Sequence, residues 1–283
     1  MRQACCESLS SPILYESHCH TPLCHHAQGE PAEYAARALA LGFKGIIFTC
    51  HCPLPDGISS HVRMSPVEYE HYHAMIEEAR VQFAGRLDVR VGLESDYYPG
   101  VESWLRNLHA RHPLHHVLGS VHIQLPHYRK ERWTGDMFSY QQYYFDQLAE
   151  SAETELFDTL AHPDLIKNLA PKTWRFAPLR TDVAKALDRI AATGVAMELN
   201  TSGIHKSVRE MNPGREMLAM IGERGIPVVI GSDAHVPERV GEGYDDALRT
   251  LREVGFSEVS YYLDRKRQTL AIDDALDSLE EAA

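Results

Sequence analysis

The stretch Val117-Leu118-Gly119-Ser120-Val121-His122 decides the fold, because an apolar run typical of a buried strand ends on a residue that binds metal. Residues 46–51 and 157–162 follow the same rule and also end on histidine, whereas residues 89–94 end on glutamate. Imidazole and carboxylate groups at strand ends suit zinc, iron or manganese. The pattern therefore predicts both an architecture and a chemistry.

Two further runs, one near each end of the chain, finish on a pair of such residues. Residues 16–21 contain His18-Cys19-His20, and residues 228–235 end on Asp233-Ala234-His235. Side chains alternate with period two in an extended segment, so both members of each pair face the same way. A packed core does not require this arrangement, so the joint occurrence of these residues favours a metal site over unrelated loop histidines.

Alternating strand-like and helix-like segments set the expected architecture. Such alternation implies a parallel sheet, and seven strand–helix units suit a closed or nearly closed α/β barrel better than an open sheet. In such a barrel the active site lies at the carboxyl ends of the strands, where the histidines and carboxylates fall. No linker or repeat stands out, so we expect one domain over residues 1–283. The predicted strands are 12–17, 45–49, 87–93, 116–121, 157–161, 195–200 and 228–231, with one more near 259–263, and the predicted helices are 31–41, 65–84, 101–111, 139–150, 181–192, 213–224 and 245–254.

Composition narrows the function classes. The chain has 283 residues, a formal net charge of -12 and only 28 Lys and Arg residues. This balance argues against nucleic acid as a partner, because binding to nucleic acid rests largely on basic residues that neutralise phosphates. No window approaches the roughly 18 apolar residues of a membrane span, and the N-terminus lacks the pattern of a secretory signal. We therefore expect a cytoplasmic protein without membrane contact.

The cysteines offer a competing metal site. All six lie in the first 52 residues, and we expect reduced thiols in this setting. The run Cys50-His51-Cys52 is compatible with a zinc–thiolate site. However, alternation turns Cys19 and Cys50 away from the neighbouring histidines, so imidazole ligands are favoured. The six positions are Cys5, Cys6, Cys19, Cys24, Cys50 and Cys52.

Other histidines do not fit the strand-end pattern. His71 and His73 lie on a predicted helix, where we expect surface or packing roles. His127 lies in the polar loop 124–135, where a contact with substrate is an open alternative. Four more precede a strand instead of ending one: His109, His112, His115 and His116.

Nine candidate ligands remain, counting one of the adjacent His25 and His26. One catalytic zinc typically takes three protein ligands and water. Nine ligands instead fit two or three divalent ions that share a carboxylate. Sites with several ions typically clamp the attacking and leaving oxygens of phosphoryl transfer.

These residues resemble the polymerase-and-histidinol-phosphatase (PHP) family of metal-dependent phosphoesterases, and within it the monofunctional histidinol-phosphate phosphatase branch. The first block, with Thr-Pro-Leu-Cys-x-His-Ala-x-Gly, is specific to the branch. The resemblance implies a distorted (β/α)7 barrel of the TIM-like kind. It covers nearly the whole chain, in the blocks 17–29, 92–97, 119–122, 161–165, 200–203 and 231–235.

The family pattern also implies a ligand grouping, with zinc, iron or manganese as the metal. His26 matches better than His25, because it directly precedes Ala-x-Gly. The resemblance implies that one ion is held by His18, His20, Glu94 and Asp233. A second shares Glu94 and adds His122 and His162, and a third takes His26, His51 and His235.

The sequence departs from the branch pattern at two places. One is next to the predicted ligand His51, and the other is in the loop after Gly203. Cys50 stands where the branch usually has Asp before His51, so the support of this ligand is expected to differ. The branch usually carries Arg after Gly203, whereas this chain has Ile204-His205-Lys206. An Arg binds phosphate bidentately and a Lys acts as a point charge. The candidate substrate contacts are His205, Lys206, Arg209 and Arg239.

The resemblance implies hydrolysis of L-histidinol phosphate, a small phosphate monoester of histidine biosynthesis, by a metal-bridging hydroxide. The carboxylates of Asp96, Asp164 and Glu210 are candidate partners for the substrate's amine and imidazole. Alternatives are a PHP-type nucleotide phosphoesterase or exonuclease, a metal-dependent amidohydrolase and a non-catalytic metal-binding module. The residues expected to act directly in catalysis are His18, His20, Glu94, Asp233 and His235.

Overall fold

The structure is a computed structural model that describes residues 13–123 and 125–282. Cys5, Cys6 and the start of the first predicted strand lie outside the described residues. Side chains of His127, Glu131 and Ala282 also lie outside the description, so the predicted substrate contact of His127 is not addressed.

Parallel strands and the helices between them account for most of the chain. The strands are β1 (Tyr15–Cys19), β2 (Gly45–Phe48), β3 (Asp88–Val91), β4 (Leu93–Asp96), β5 (Val117–Ser120), β6 (Thr159–Leu160), β7 (Ala196–Asn200), β8 (Val228–Gly231), β9 (Glu258–Leu263) and β10 (Lys266–Ala271). The helices are α1 (Pro31–Ala40), α2 (Tyr69–Gln82), α3 (Glu102–His109), α4 (Pro126–Arg132), α5 (Met137–Glu153), α6 (Arg180–Thr193), α7 (Arg215–Glu223), α8 (Tyr244–Glu253) and α9 (Ile272–Ala282).

The parallel strands close into a barrel. β1, β2 and β3 form one sheet, and β4 to β8 follow in order in a second sheet. Only Gly92 separates β3 from β4, so this strand leaves the first sheet and enters the second. The barrel closes where Cys19 pairs in parallel with Ala234, and the His20 amide donates to the Ala234 carbonyl at 2.9 Å. Counting β3 and β4 as one strand gives seven, and the predicted (β/α)7 barrel is confirmed.

Continuous apolar strands explain why the sheet lies inside. Every residue of β1, β2, β4, β5, β7 and β8 is buried. Strands buried on both faces are typical of parallel sheets covered by helices. The helices place one apolar face on the barrel, as α1 does with Tyr34, Ala35 and Ala38. This packing fixes the carboxyl ends of the strands around a common axis.

Three sequence predictions need correction. Helix α2 begins at Tyr69 and not at residue 65, although Ser65 Oγ donates to Glu68 Oε2 at 2.7 Å as a capping pair would. The predicted loop 124–135 contains α4, which begins at Pro126 and whose charged sequence has no apolar period. Strand β10 and helix α9 were not predicted.

A hairpin covers the amino-terminal end of the barrel. β9 confirms the strand predicted near 259–263 and joins β8 where Val229 pairs with Ser260. The ring of Tyr261 stacks on that of Tyr15 with centroids 4.7 Å apart. At the hairpin turn, Arg265 Nε lies 2.6 Å from Asp158 Oδ2. The opposite, carboxyl end of the barrel is where the candidate ligands lie.

Among the described residues, no helix combines the length and the apolar character that crossing a membrane requires.

Candidate metal centre

The carboxyl ends of the barrel strands bring all nine predicted ligands together. His18 lies in β1 and His20 directly follows it, and both side chains are fully buried. The other seven line a cavity of about 170 Å³ together with Leu165 and Lys206. These seven are His26, His51, Glu94, His122, His162, Asp233 and His235.

Glu94 occupies the centre of the group. Its Oε2 lies 3.6 Å from His18 Nε2, 3.7 Å from His20 Nε2 and 2.7 Å from His51 Nδ1. Its Oε1 lies 2.9 Å from His162 Nε2 and 3.6 Å from His122 Nε2. A carboxylate with histidines on both oxygens has the geometry of a bridge between ions.

Asp233 is the second carboxylate among the predicted ligands. Its Oδ1 lies 3.2 Å from His20 Nε2 and 3.5 Å from His235 Nδ1. The backbone φ of Asp233 is 50°, and that of His162 is 30°. Such left-handed conformations cost about 1–3 kcal/mol each in residues other than glycine and cluster at functional sites. The surrounding barrel therefore holds both side chains against local strain.

A third group lies towards the cavity opening. His26 Nε2 and His235 Nε2 are 3.0 Å apart. One nitrogen each from His26, His51 and His235 falls within a mutual distance of 4.8 Å. The structure thus brings together the side chains of each predicted ion site, while their binding of ions stays a prediction.

Buried polar atoms without hydrogen-bond partners favour a metal-binding role for this group of side chains. Among the described residues, Glu94 Oε2 and His51 Nδ1 have no hydrogen-bond partner, although they lie only 2.7 Å apart. Buried polar atoms are normally hydrogen-bonded. The approach of Glu94 Oε2 and His51 Nδ1 without a hydrogen bond is therefore costly unless a cation binds both atoms. A donor set of imidazoles and carboxylates fits divalent zinc, iron or manganese.

The protonation states agree with this interpretation. Burial lowers the pKa of His51 to about 4 and that of His235 to about 3, so both imidazoles are neutral at pH 7. Burial opposes charge on His20, but contacts including Asp233 raise its pKa to about 9. Burial also disfavours a charged Glu94, yet His51 and His122 hold its pKa well below the usual range. A metal ion must therefore displace a proton from His20.

Supporting carboxylates orient the ligands. Glu198 accepts a hydrogen bond from His18 Nδ1 at 2.6 Å and another from the His162 amide at 2.8 Å. The absence of a side chain at Gly231 permits this, because a Cβ there would lie 2.2 Å from Glu198 Oε1. Asp96 accepts from His122 Nδ1 and is itself paired with the buried Arg63.

Sequence reasoning missed Glu198 and Arg63. Glu198 alternates with buried apolar residues in β7, and this period-two position was the available signal. Arg63 lies in an irregular loop and had no such signal. Asp96, Asp164 and Glu210, predicted to meet the substrate's amine or imidazole, each pair with another residue: Asp96 with Arg63, and Asp164 and Glu210 with the buried Lys167.

The predicted substrate contacts separate into three groups. Lys206 lines the cavity, with its Nζ 3.3 Å from Asp233 Oδ2. His205 and Arg239 both pair with Glu242, at 2.9 and 2.8 Å. Arg209 is exposed and does not line the cavity. Lys206 is therefore the cation that the structure brings nearest to the ligands.

Comparisons with known proteins identify the family of the chain. The PHP domain family matches residues 16–202, and the PHP-associated family matches residues 216–253. A probable histidinol-phosphatase of Deinococcus radiodurans is 38% identical over 88% of this chain and 96% of its own length. The histidinol-phosphatase of Bacillus subtilis is 28% identical over 82% of this chain and 97% of its own length.

A solved structure has the same fold. The histidinol phosphate phosphatase of Lactococcus lactis, crystallised with zinc, L-histidinol and phosphate, superposes with a TM-score of 0.75. It is 19% identical, and the match covers 90% of this chain and 98% of the other. From the family match and the Deinococcus relative together, the chain belongs to the PHP family.

Proposed function

We propose that this protein is a histidinol-phosphatase, a metal-dependent phosphomonoesterase that hydrolyses L-histidinol phosphate to L-histidinol and phosphate. The observation that carries the proposal is the convergence of seven histidines and Asp233 around Glu94, at the mouth of a barrel. The names of the Deinococcus and Bacillus relatives supply the substrate. The Lactococcus structure contains both L-histidinol and phosphate and is consistent with it.

The nine ligands suit two or three ions, in the grouping that the family resemblance implies. The distances around Glu94 support a shared carboxylate, and the trio of His26, His51 and His235 supports a further position. Bound zinc, iron or manganese would neutralise charge on phosphate oxygens and bring the pKa of water near neutrality. The chain's own part is to hold these positions rigidly, through Glu198 and Asp96 behind His18 and His122.

Lys206 is the proposed phosphate contact. Its ammonium group lines the cavity beside Asp233, where it can approach a phosphate oxygen as a point charge. His205 and Arg239 both pair with Glu242 and are proposed as weaker contacts. Exposed Arg209 ranks last of the four.

A second cavity can take the organic part of the substrate. It has a volume of about 210 Å³ and shares His26, His51 and His122 with the first. Its outer wall consists of Ser59, His61, Val62, Arg63 and Leu125. A monoester spanning the two cavities would place its phosphate among the ligands and its polar, ring-bearing alcohol against this wall.

The test is phosphate release from L-histidinol phosphate beside a panel of sugar phosphates, nucleotides and single-stranded DNA. The protein is purified without chelator and its metal content is measured. We expect a strong preference for L-histidinol phosphate and no release of nucleotides from DNA. Comparable rates on other monoesters would contradict the substrate assignment, and no hydrolysis by metal-loaded protein would contradict the enzyme assignment.

The phosphate contact has its own control pair. Lys206→Met is expected to raise KM for L-histidinol phosphate, because the cation beside the cavity is lost. Arg209→Met removes a cation of similar size on the exposed surface and is expected to change KM little. Equal effects of the two substitutions would remove Lys206 from its proposed place.

A further inference from the structure

A histidine that binds metal through one ring nitrogen has a second ring nitrogen that faces away from the metal. In four of the predicted ligands this second nitrogen lies close to an oxygen acceptor. His18 Nδ1 meets Glu198 at 2.6 Å, and His122 Nδ1 meets Asp96. His26 Nδ1 lies 2.6 Å from the Cys24 carbonyl, and His235 Nδ1 lies 3.0 Å from the Asp233 carbonyl. Metal-bound histidines almost always donate this second N–H, because the bond fixes the tautomer and the ring orientation.

His20 is different. Its Nε2 faces the other ligands, 3.2 Å from His18 Nε2 and 3.2 Å from Asp233 Oδ1. Its Nδ1 is buried, and it has no hydrogen-bond partner of ordinary geometry within residues 13–123 and 125–282. The side chain of His20 is fully buried. A buried N–H without a hydrogen-bond acceptor raises the free energy of the folded state.

The sulfur of Cys24 lies close to this ring. Cys24 Sγ lies within 4.8 Å of a ring nitrogen of His20 and of His235, and its side chain interacts with that of His20. Cys24 is completely buried, in a short helical turn that begins at Pro22. Its amide donates to the Thr21 carbonyl at 3.1 Å, which anchors the turn directly after His20.

Neighbouring thiols do not share this position. Cys19 Sγ donates to the Ile47 carbonyl at 3.6 Å, and Cys50 Sγ donates to the Thr21 carbonyl at 3.6 Å. Both thiols are turned away from the centre, as alternation along the strands predicts. Unlike Cys19 and Cys50, Cys24 thus has its sulfur within reach of a ligand ring.

We propose that Cys24 is a positioning residue, whose sulfur accepts the Nδ1–H of His20 so that Nε2 presents its lone pair to the metal. The inference rests on the proposed metal-dependent function. In this proposal the sulfur of Cys24 accepts the second ring N–H of His20. Carboxylates and carbonyls do the same for His18, His122, His26 and His235. The sulfur lies behind the ring of His20 and supports a ligand without being one.

Metal affinity tests the proposal independently of turnover. The metal-stripped protein is titrated with zinc against a chromophoric chelator, for wild type, Cys24→Ala, Cys24→Ser and Cys19→Ala. Loss of a supporting partner typically lowers metal affinity about 10- to 100-fold, and we expect this for Cys24→Ala. Cys24→Ser keeps an acceptor and should stay close to wild type. Cys19→Ala removes an equally buried thiol that points elsewhere and should bind zinc as wild type does.

Several outcomes would overturn the assignment. Equal affinities of Cys24→Ala and Cys19→Ala, or a Cys24→Ser variant as weak as Cys24→Ala, would leave Cys24 a packing role only. If Cys24→Ala fails to fold, Cys24→Val fills the volume without an acceptor and takes its place in the comparison. A thiolate-to-cobalt charge-transfer band in the cobalt-loaded wild type, lost in Cys24→Ser, would make Cys24 a ligand instead. Wild type that binds none of zinc, iron and manganese would refute the proposed function itself, before any variant is compared.

Discussion

The two ends of the barrel use histidine in opposite ways. At the carboxyl end, His51 and Glu94 bring bare acceptor atoms within 2.7 Å of each other without a hydrogen bond. At the amino end, His116 is fully buried. Its Nε2 lies 2.9 Å from Thr159 Oγ1 and its ring stacks on Tyr262, although its Nδ1 has no hydrogen-bond partner among the described residues. Burial alone therefore does not make a histidine a ligand.

The difference lies in what surrounds the ring. Carboxylates and further imidazoles converge on His51, whereas a hydroxyl and an aromatic ring meet His116. The first environment is unfavourable without a cation, and the second is a packed and nearly satisfied core. We therefore expect substitutions at the carboxyl end to change metal binding and turnover, and substitutions at the amino end to change stability.

The largest effect is expected for Glu94→Gln. This change keeps the side-chain shape but removes the charge shared by the proposed ions. Since metals supply several kcal/mol of transition-state stabilisation, phosphate release should fall on the order of a thousandfold or more. Circular dichroism should show an intact fold. Glu216→Gln, an exposed partner of Arg180, serves as the matched control and should keep wild-type turnover.

Glu198→Gln should have the next largest effect. His18 loses its charged acceptor, and zinc affinity is expected to fall about 10- to 100-fold. Zinc titration against a chelator measures this change, with exposed Glu258→Gln as the control. Unchanged affinity would mean that the barrel holds His18 in place without Glu198.

At the amino end, Arg265→Met should destabilise the fold without changing kcat. Arg265 pairs with Asp158, which is 8% exposed and would be left buried without its cation. A loss of about 1–2 kcal/mol in the free energy of unfolding is expected, since Arg265 itself is partly exposed. Urea unfolding measures it. Arg252→Met breaks the exposed pair with Asp273 and should cost less than about 1 kcal/mol.

The smallest effect is a pH dependence at His116. Burial lowers the pKa of His116 to about 3, below the value near 6.5 expected in the unfolded chain. Because the unfolded state binds the proton more tightly, this group's stability contribution is present above pH 6.5 and is lost as pH falls towards 3. Between pH 7.5 and 5.5 the loss amounts to about 1 kcal/mol.

His116→Gln removes this titration. Urea unfolding of wild type and His116→Gln at both pH values should differ in their pH dependence by that amount. An identical pH dependence in the two proteins would show that His116 is not held neutral by burial.

The sequence was sufficient for the barrel and for the convergence of most of the predicted ligands, since eight of the nine lie at the ends of local apolar runs. His122 and His162 directly follow such runs, and the rule that active sites lie at carboxyl strand ends brings them together. The same rule separates His116, which precedes its strand, from His122, which follows it. The family resemblance added the choice of His26 over His25.

The supporting residues could not be predicted in this way. Glu198 reaches His18 across 180 positions of sequence, and the role proposed for Cys24 depends on the lack of another partner for His20 Nδ1. Such roles depend on distances across the barrel, which local patterns do not contain. Likewise, the break at Gly92 arises because β3 and β4 pair with different sheets, and α4 has no apolar period to reveal it.

The most direct test of the account counts ions and turnover on the same samples. Metal-stripped protein is titrated with zinc, iron or manganese, and bound metal per chain is measured beside phosphate release from L-histidinol phosphate. The account predicts two or three ions per chain and activity that appears only as they bind. Full activity in metal-stripped protein would contradict it. So would a protein that has bound no ion after titration with all three metals.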